Sequence, residues 1–130
     1  MRGSLVIPTL NEGGSVGHVV TAFRSAAQSA NRDLFPRDPI DWEILVVDGG
    51  STDTTVAVAE AAGARVIVET RRGYGRAYQT GFAASEGTIL ATADGDATYP
   101  VHEIPILVRR LLDRKVDFIT GDRLTHLDRR

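Results

Sequence analysis

The chain has 130 residues, 42% of them hydrophobic and 25% charged, with a net charge of -2 at pH 7. That is the size and composition of one soluble globular domain with its own core, and the near-neutral balance argues against nucleic acid as a partner. There is no cysteine, which excludes disulfides and thiolate metal sites and fits a reducing compartment such as the cytoplasm.

The N-terminus "MRGSLVIPTLNE" does not read as a signal peptide, because its apolar run is short and is broken by Pro8 and then by Asn11 and Glu12. No segment approaches the roughly 20 apolar residues of a membrane span. "SLVIPT" (4–9) reads as a strand buried on both faces. "GSVGHVVTAFRSAAQSA" (14–30) reads as a helix, with Val16, Val19, Val20, Phe23, Ala26, Ala27 and Ala30 at helical spacing. "NRDLFPRDPIDWE" (31–43) reads as a surface connection punctuated by Pro36 and Pro39. "WEILVVDGG" (42–50) is the second predicted strand, and "TDTTVAVAEAAGA" (52–64) a short helix with Asp53 as its cap and Gly63 as its stop. "RVIVET" (65–70) is the third strand. "YGRAYQTGFAASEG" (74–87) is a helix with small residues Ala77 and Gly81 on one face and Gly87 as its terminator. "TILATAD" (88–94) is the fourth strand. "HEIPILVRRLLDRK" (102–115) is a helix with Pro105 in its first turn, and "VDFITGDR" (116–123) is the fifth strand.

This alternation predicts βαβ units: a mostly parallel, doubly wound sheet with helices on both faces, in a single domain over 1–130. Ligands of such sheets bind outside the C-terminal ends of the strands. The residues that follow each apolar run therefore gather at one edge: Pro8, Thr9, Asn11 and Glu12; Asp48 to Ser51 and Asp53; Arg71, Arg72, Gly73 and Gly75; Asp94, Gly95, Asp96, Thr98 and Tyr99; Gly121, Asp122 and Arg123. Paired carboxylates suit a divalent cation, and arginines with glycine-backed amides suit phosphates. The edge reads as a site for a nucleoside diphosphate and a metal.

Each piece also has a plainer reading. Asp94-Gly95 resembles a hairpin turn, but "DATYPVHEIP" after it is no alternating strand, and a solvated acidic loop is the better plain alternative. Asp53 reads as a turn or cap residue. Arg71, Arg72 and Arg76 taken singly read as a solvated face. His18, His102 and His126 show no ligand spacing. "RRGYGRAYQTG" imitates a dinucleotide-binding fingerprint, yet it stands at the third strand–helix turn and has Tyr78 where the third glycine belongs.

Together, "SLVIPTLNE", "EILVVDGGSTDTT", "RRGYGRAYQTGFAASEG", "ATADGDATYP" and "FITGDR" resemble, in order and spacing, the family 2 glycosyltransferases of GT-A fold, most of all the dolichyl- and polyprenyl-phosphate sugar transferases. The resemblance implies a nucleotide-diphosphate sugar as donor, a GDP- or UDP-sugar, and transfer with inversion to a lipid phosphate at the cytoplasmic face of a membrane. It implies that Pro8, Thr9, Asn11 and Glu12 form the first nucleotide-binding segment, that Asp48 contacts the base, and that Arg72, Gly73 and Gly75 close over the nucleotide. Asp94, Gly95 and Asp96 match the DxD motif that holds Mg2+ or Mn2+ against the diphosphate, and Arg123, with Gly121, matches an arginine near the phosphates. Three positions depart from the family pattern: Gly49 replaces a second acid, Thr98 stands where lipid-phosphate members carry Gln, and Asp122 replaces a serine. The resemblance also implies that 1–130 is the N-terminal part of a longer catalytic domain. An anionic lipid phosphate needs no general base, whereas an alcohol acceptor does. No base is evident, so a soluble or polysaccharide acceptor, and a non-catalytic nucleotide-binding module, remain as alternatives.

Overall fold

Strand and helix alternate as the patterning predicts. The computed structural model describes residues 1–98, 100–115 and 117. Its elements are β1 (Arg2–Thr9), α1 (Val16–Asp33), β2 (Asp41–Asp48), α2 (Thr55–Ala61), β3 (Arg65–Val68), α3 (Tyr74–Ala84), β4 (Ile89–Thr92) and α4 (Ile104–Arg114), the last entered through a 3-10 turn at Val101–Glu103. The predicted fifth strand lies outside the described residues apart from Asp117.

All strand pairs are parallel, in the order β3-β2-β1-β4. The apolar stripe of α1 (Val16, Val19, Val20, Phe23, Ala27 and Ala30) packs with Leu5, Ile7, Ile44 and Val46 on one sheet face, joined by Ala59 of α2 and by Ile104 and Val108 of α4. Phe23 meets Trp42 edge-on, with ring centroids 5.0 Å apart, the arrangement aromatic quadrupoles favour. On the other face, Val6, Leu45 and Val47 are covered by Ala77 and Tyr78 of α3. Two faces are needed because the chain steps from β1 outward to β3 and then returns to the far side of β1. Right-handed crossovers in opposite directions put their helices on opposite faces.

Several local expectations change. Helix α1 runs on through Asn31–Asp33, which the polarity of 31–43 had assigned to a connection. Asn31 then anchors the remaining loop, donating from Nδ2 to the Ile40 carbonyl and accepting the Ile40 N–H at Oδ1, both at 2.9 Å. Phe35 and Ile40 point inward from that loop and are buried. Helix α3 ends at Ala84, short of Gly87. Gly87 serves close packing instead, its amide donating to Ser4 Oγ at 2.8 Å.

Gly81 lets α3 lie directly on the sheet: a Cβ there would sit 2.4 Å from Val6 Cγ1 and 3.1 Å from Val47 Cγ2. On an open helix surface Gly→Ala would stabilise by about 1 kcal/mol, but overpacking a close contact costs about 1–3 kcal/mol. Gly81→Ala is therefore expected to lower the unfolding free energy, a sign opposite to helix propensity, as urea denaturation would measure.

A reversal of strand order is where open α/β sheets form their ligand crevice. Chain connections leave β1 toward β2 on one side and re-enter at β4 on the other, so the topological switch point falls between β1 and β4. The two strands pair only from Gly3↔Ile89 to Val6↔Thr92, while β1 continues beside β2 to Thr9↔Asp48. Pro8, which lacks an amide donor, sits in this unpaired stretch, where a central strand tolerates proline.

Candidate functional site

At the strand C-termini, β1 and β2 are locked by a buried carboxylate. Asp48 is 1% exposed. Its Oδ1 accepts the hydroxyls of Thr9 (2.8 Å) and Ser51 (2.6 Å), and its Oδ2 accepts the amides of Gly50 (3.1 Å) and Ser51 (2.7 Å). Burial pushes this carboxyl up, but the bonds from Ser51, Thr9 and Gly50 outweigh burial and hold it below the ordinary aspartate range. A carboxylate offers about four lone-pair sites, and all of them are engaged within the protein.

The loop after β1 is stitched to the loop after β2. The Asn11 amide donates to Ser51 Oγ at 2.8 Å, and Asn11 Oδ1 accepts the Thr52 amide at 2.8 Å. The Glu12 amide donates to Thr55 Oγ1 at 2.8 Å, and the Gly13 amide to Asp53 Oδ2 at 3.1 Å. Asp53 does cap α2 in effect, accepting the Thr55 amide at 2.9 Å, but it also bonds the Thr55 hydroxyl and reaches across to the first loop. The residues predicted as the first nucleotide-binding segment thus form a rigid shelf beside the switch-point crevice.

Against that shelf lies the turn after β4. Gly95 is buried, and a Cβ on it would meet Thr9 Cγ2 at 2.7 Å and Glu12 Oε2 at 3.0 Å, so only glycine allows the approach. The Ser15 hydroxyl donates to the Gly95 carbonyl at 2.7 Å across 80 residues of sequence. Ser15 occupies the N-cap position of α1 yet makes no cap bond, so its hydroxyl serves the turn rather than the helix. The sequence carries no signal for this tether, and Ser15 is not among the residues it singles out. Asp94 is half-buried, with no hydrogen-bond or ion-pair partner among the described residues. Asp96 is exposed, and its Oδ1 accepts the Thr98 amide (3.0 Å) and hydroxyl (2.7 Å) around Ala97, which has φ 66°.

These carboxylates feel one another. Burial lifts the Glu12 carboxyl above its ordinary value; the Leu10 amide, donating to Glu12 Oε1 at 3.1 Å, opposes that, and the charges of Asp96, Asp94 and Asp48 add to it. Among the described residues no group of three or more His, Cys, Asp or Glu is arranged to hold a metal ion by itself. The donor set nevertheless fits a hard divalent cation that takes one or two carboxylates and completes its shell with phosphate oxygens. Asp94 and Asp96 are the carboxylates that would hold it.

The arginine turn follows a strand that is not a neighbour of β4. Strand β3 lies three inter-strand steps from β4, roughly 14 Å at 4.8 Å each. The shared C-terminal edge was legible in the sequence; this separation was not. Arg72, Gly73 and Gly75 are exposed there, Gly73 being the N-cap of α3, and Arg72 makes no bond to the Asp94–Asp96 turn among the described residues. Helix α3 packs over β2 and β1. Gly121, Asp122 and Arg123 lie outside the described residues, as does Tyr99. Among the described residues no helix is long and apolar enough to cross a membrane.

Comparison with known proteins gives a consistent picture. The family model described as "Glycosyl transferase family 2" matches residues 4–130. An uncharacterized glycosyltransferase of Mycobacterium tuberculosis is 37% identical over 120 residues, covering 92% of this chain and 48% of that protein. The dodecaprenyl-phosphate galacturonate synthase of Rhizobium johnstonii is 36% identical over 132 residues, covering 96% of this chain and 37% of its own. The crystal structure of glucosyl-3-phosphoglycerate synthase from Mycobacterium tuberculosis with Mn2+, uridine diphosphate and glucosyl-3-phosphoglycerate aligns with a TM-score of 0.67 at 30% identity, over 97% of this chain and 47% of that one. The chain spans about half the length of these relatives or less.

Proposed function

Because the chain belongs to glycosyl transferase family 2 and has the GT-A fold of its structural relatives, we propose that it binds a nucleotide-diphosphate sugar and takes part in transferring the sugar to a polyprenyl phosphate. The observation that carries this reading is the Asp94-Gly95-Asp96 turn, held by Ser15 and packed on Thr9 and Glu12 at the β1/β4 switch point. In this reading Pro8, Thr9, Asn11 and Glu12 line the nucleoside side. Asp48 keeps that side in shape, and it contacts the base only by exchanging one of its four internal bonds. Asp94 and Asp96 hold Mg2+ or Mn2+, Arg72 and the Gly73–Gly75 turn approach the diphosphate, and Arg123 does so from beyond the described residues.

The bond changes are simple. An acceptor oxygen bonds to the anomeric carbon with inversion as the bond from that carbon to the diphosphate oxygen breaks, and the electron pair leaves with the diphosphate. A bound divalent cation would offset that growing charge as a Lewis acid. A lipid phosphate is anionic near neutral pH, so no proton need be removed. In this reading Asp48 serves the scaffold and Asp94 and Asp96 serve the cation, which leaves none of the three to act as a base. Such an acceptor implies work at a membrane surface, in this reading the cytoplasmic face.

A second reading has its own support. The structural relative bound to glucosyl-3-phosphoglycerate favours a small soluble phosphorylated acceptor. The test is incubation with labelled UDP- and GDP-sugars and Mn2+, offering undecaprenyl phosphate in vesicles in one arm and 3-phosphoglycerate in the other. Label in the lipid fraction supports the first reading, and label in phosphoglycerate alone supports the second. Label in neither, with donor still bound, leaves a nucleotide-sugar-binding module.

A further inference from the structure

The doublet Arg71-Arg72 is divided in the structure. Glu69, just past β3, has a side chain only 9% exposed. Its Oε2 accepts the Arg71 amide (3.1 Å) and Arg71 Nε (2.9 Å); its Oε1 accepts the Thr80 hydroxyl (2.8 Å) and Arg71 Nη2. Its own amide donates to the Asp48 carbonyl at 2.8 Å. One residue therefore ties the end of β2, the start of the β3–α3 turn and the second turn of α3. The bonds from Arg71 and Thr80 hold the Glu69 carboxyl down at about 2, so it is charged throughout the physiological range. Arg71 is consumed by this fork-to-fork pair. Arg72 and Arg76, on either side of Gly73 and Gly75, are exposed and form no ion pair among the described residues.

We propose that Glu69 is a positioning residue: by clamping Arg71 and Thr80 it fixes the glycine-containing turn so that Arg72 and Arg76 are the cations presented to the donor's diphosphate. The inference rests on the donor-binding reading above. Its physical basis is pre-organisation. A turn with glycines at 73 and 75 loses much conformational freedom on closing over a ligand, and a clamp made beforehand removes that cost from binding. The Arg71 end of the pair is 63% exposed, and ion pairs of that kind add little to stability. The clamp's effect is thus expected in ligand affinity rather than in folding.

The test compares nucleoside diphosphates with the matching nucleosides, UDP with uridine and GDP with guanosine, by calorimetry in Mn2+. For Glu69→Gln, which keeps an acceptor for Thr80 but loses the charge that holds Arg71, diphosphate affinity is expected to fall about tenfold. Nucleoside affinity and melting temperature should stay close to wild type. Thr80→Val alters no charge and is expected to reproduce part of the loss, about two- to threefold. A merely structural role would weaken nucleoside and diphosphate alike. Unchanged diphosphate affinity in both variants overturns the clamp. So does tighter binding by Glu69→Gln, which would mean that the released Arg71 is itself a phosphate ligand. A wild-type protein that binds neither diphosphate fails the donor reading itself, and the clamp's role falls with it.

Discussion

Asp96→Ala is expected to remove the dependence of nucleoside diphosphate binding on Mn2+ while the protein stays folded. Asp96 is exposed and lies in a turn after the last described strand, outside both apolar clusters. Its bonds to Thr98 close a local turn, and losing them costs about 0.5–1.5 kcal/mol each at most, less where water can replace them. The consequence for a bound cation is far larger. In the proposed site Asp94 and Asp96 share the cation, so losing one carboxylate removes half of the charge that the turn offers it. We expect at least a ~100-fold loss of Mn2+-dependent affinity, equivalent to about 2.7 kcal/mol. Thermal denaturation checks the fold and calorimetry the metal effect. Unaltered metal dependence in a folded variant would show that Asp96 is no ligand.

Asp48→Ala is expected to act on stability. Removing the carboxylate strands the Thr9 and Ser51 hydroxyls and the Gly50 and Ser51 amides at the end of two central strands. A buried donor left without a partner costs about 1–3 kcal/mol. The hydroxyls can turn and Gly50 can reach water, so a total near 3 kcal/mol is the expected loss. The pH dependence follows from the direction of the shift. Because the folded carboxyl titrates below its unfolded value of about 3.9, its contribution is present above that value and is lost as pH falls through the folded one. Asp48→Asn should flatten this acid limb of the stability curve while leaving the fold at pH 7. An unchanged acid limb would show that the charge of Asp48 carries none of it.

Much of this architecture is written in local pattern. Continuous apolar runs mark the four described strands, helical spacing marks α1 and α4, cap, stop and small residues mark α2 and α3, and polar residues fall at the strand ends because buried strands leave them little other place. Strand order is different. No periodicity tells β4 to lie beside β1 with β3 on the far edge, so the sequence gathered Asp94 and Arg72 at one edge without showing that their strands are not neighbours. Long-range tethers were equally hidden. Ser15 looks like any helix cap until Gly95 is seen against it, and Glu69 looks like a strand end until Arg71 and Thr80 close on it. Local competition explains the remaining differences. Asn31 is a weak helix residue but is held by Ile40, and Gly87, which resembles a helix stop, is a glycine because β1 passes close by.

In the proposed site, the crevice between β1 and β4 binds a nucleoside diphosphate through a divalent cation held at Asp94 and Asp96. Titration of the protein with UDP and with GDP, each with Mn2+ and with the metal chelated, tests it most directly. Saturable binding of at least one nucleotide is expected with Mn2+, and a loss of at least about tenfold in affinity without it. Equal affinity in the two conditions, or no binding of either nucleotide with Mn2+ present, would contradict it.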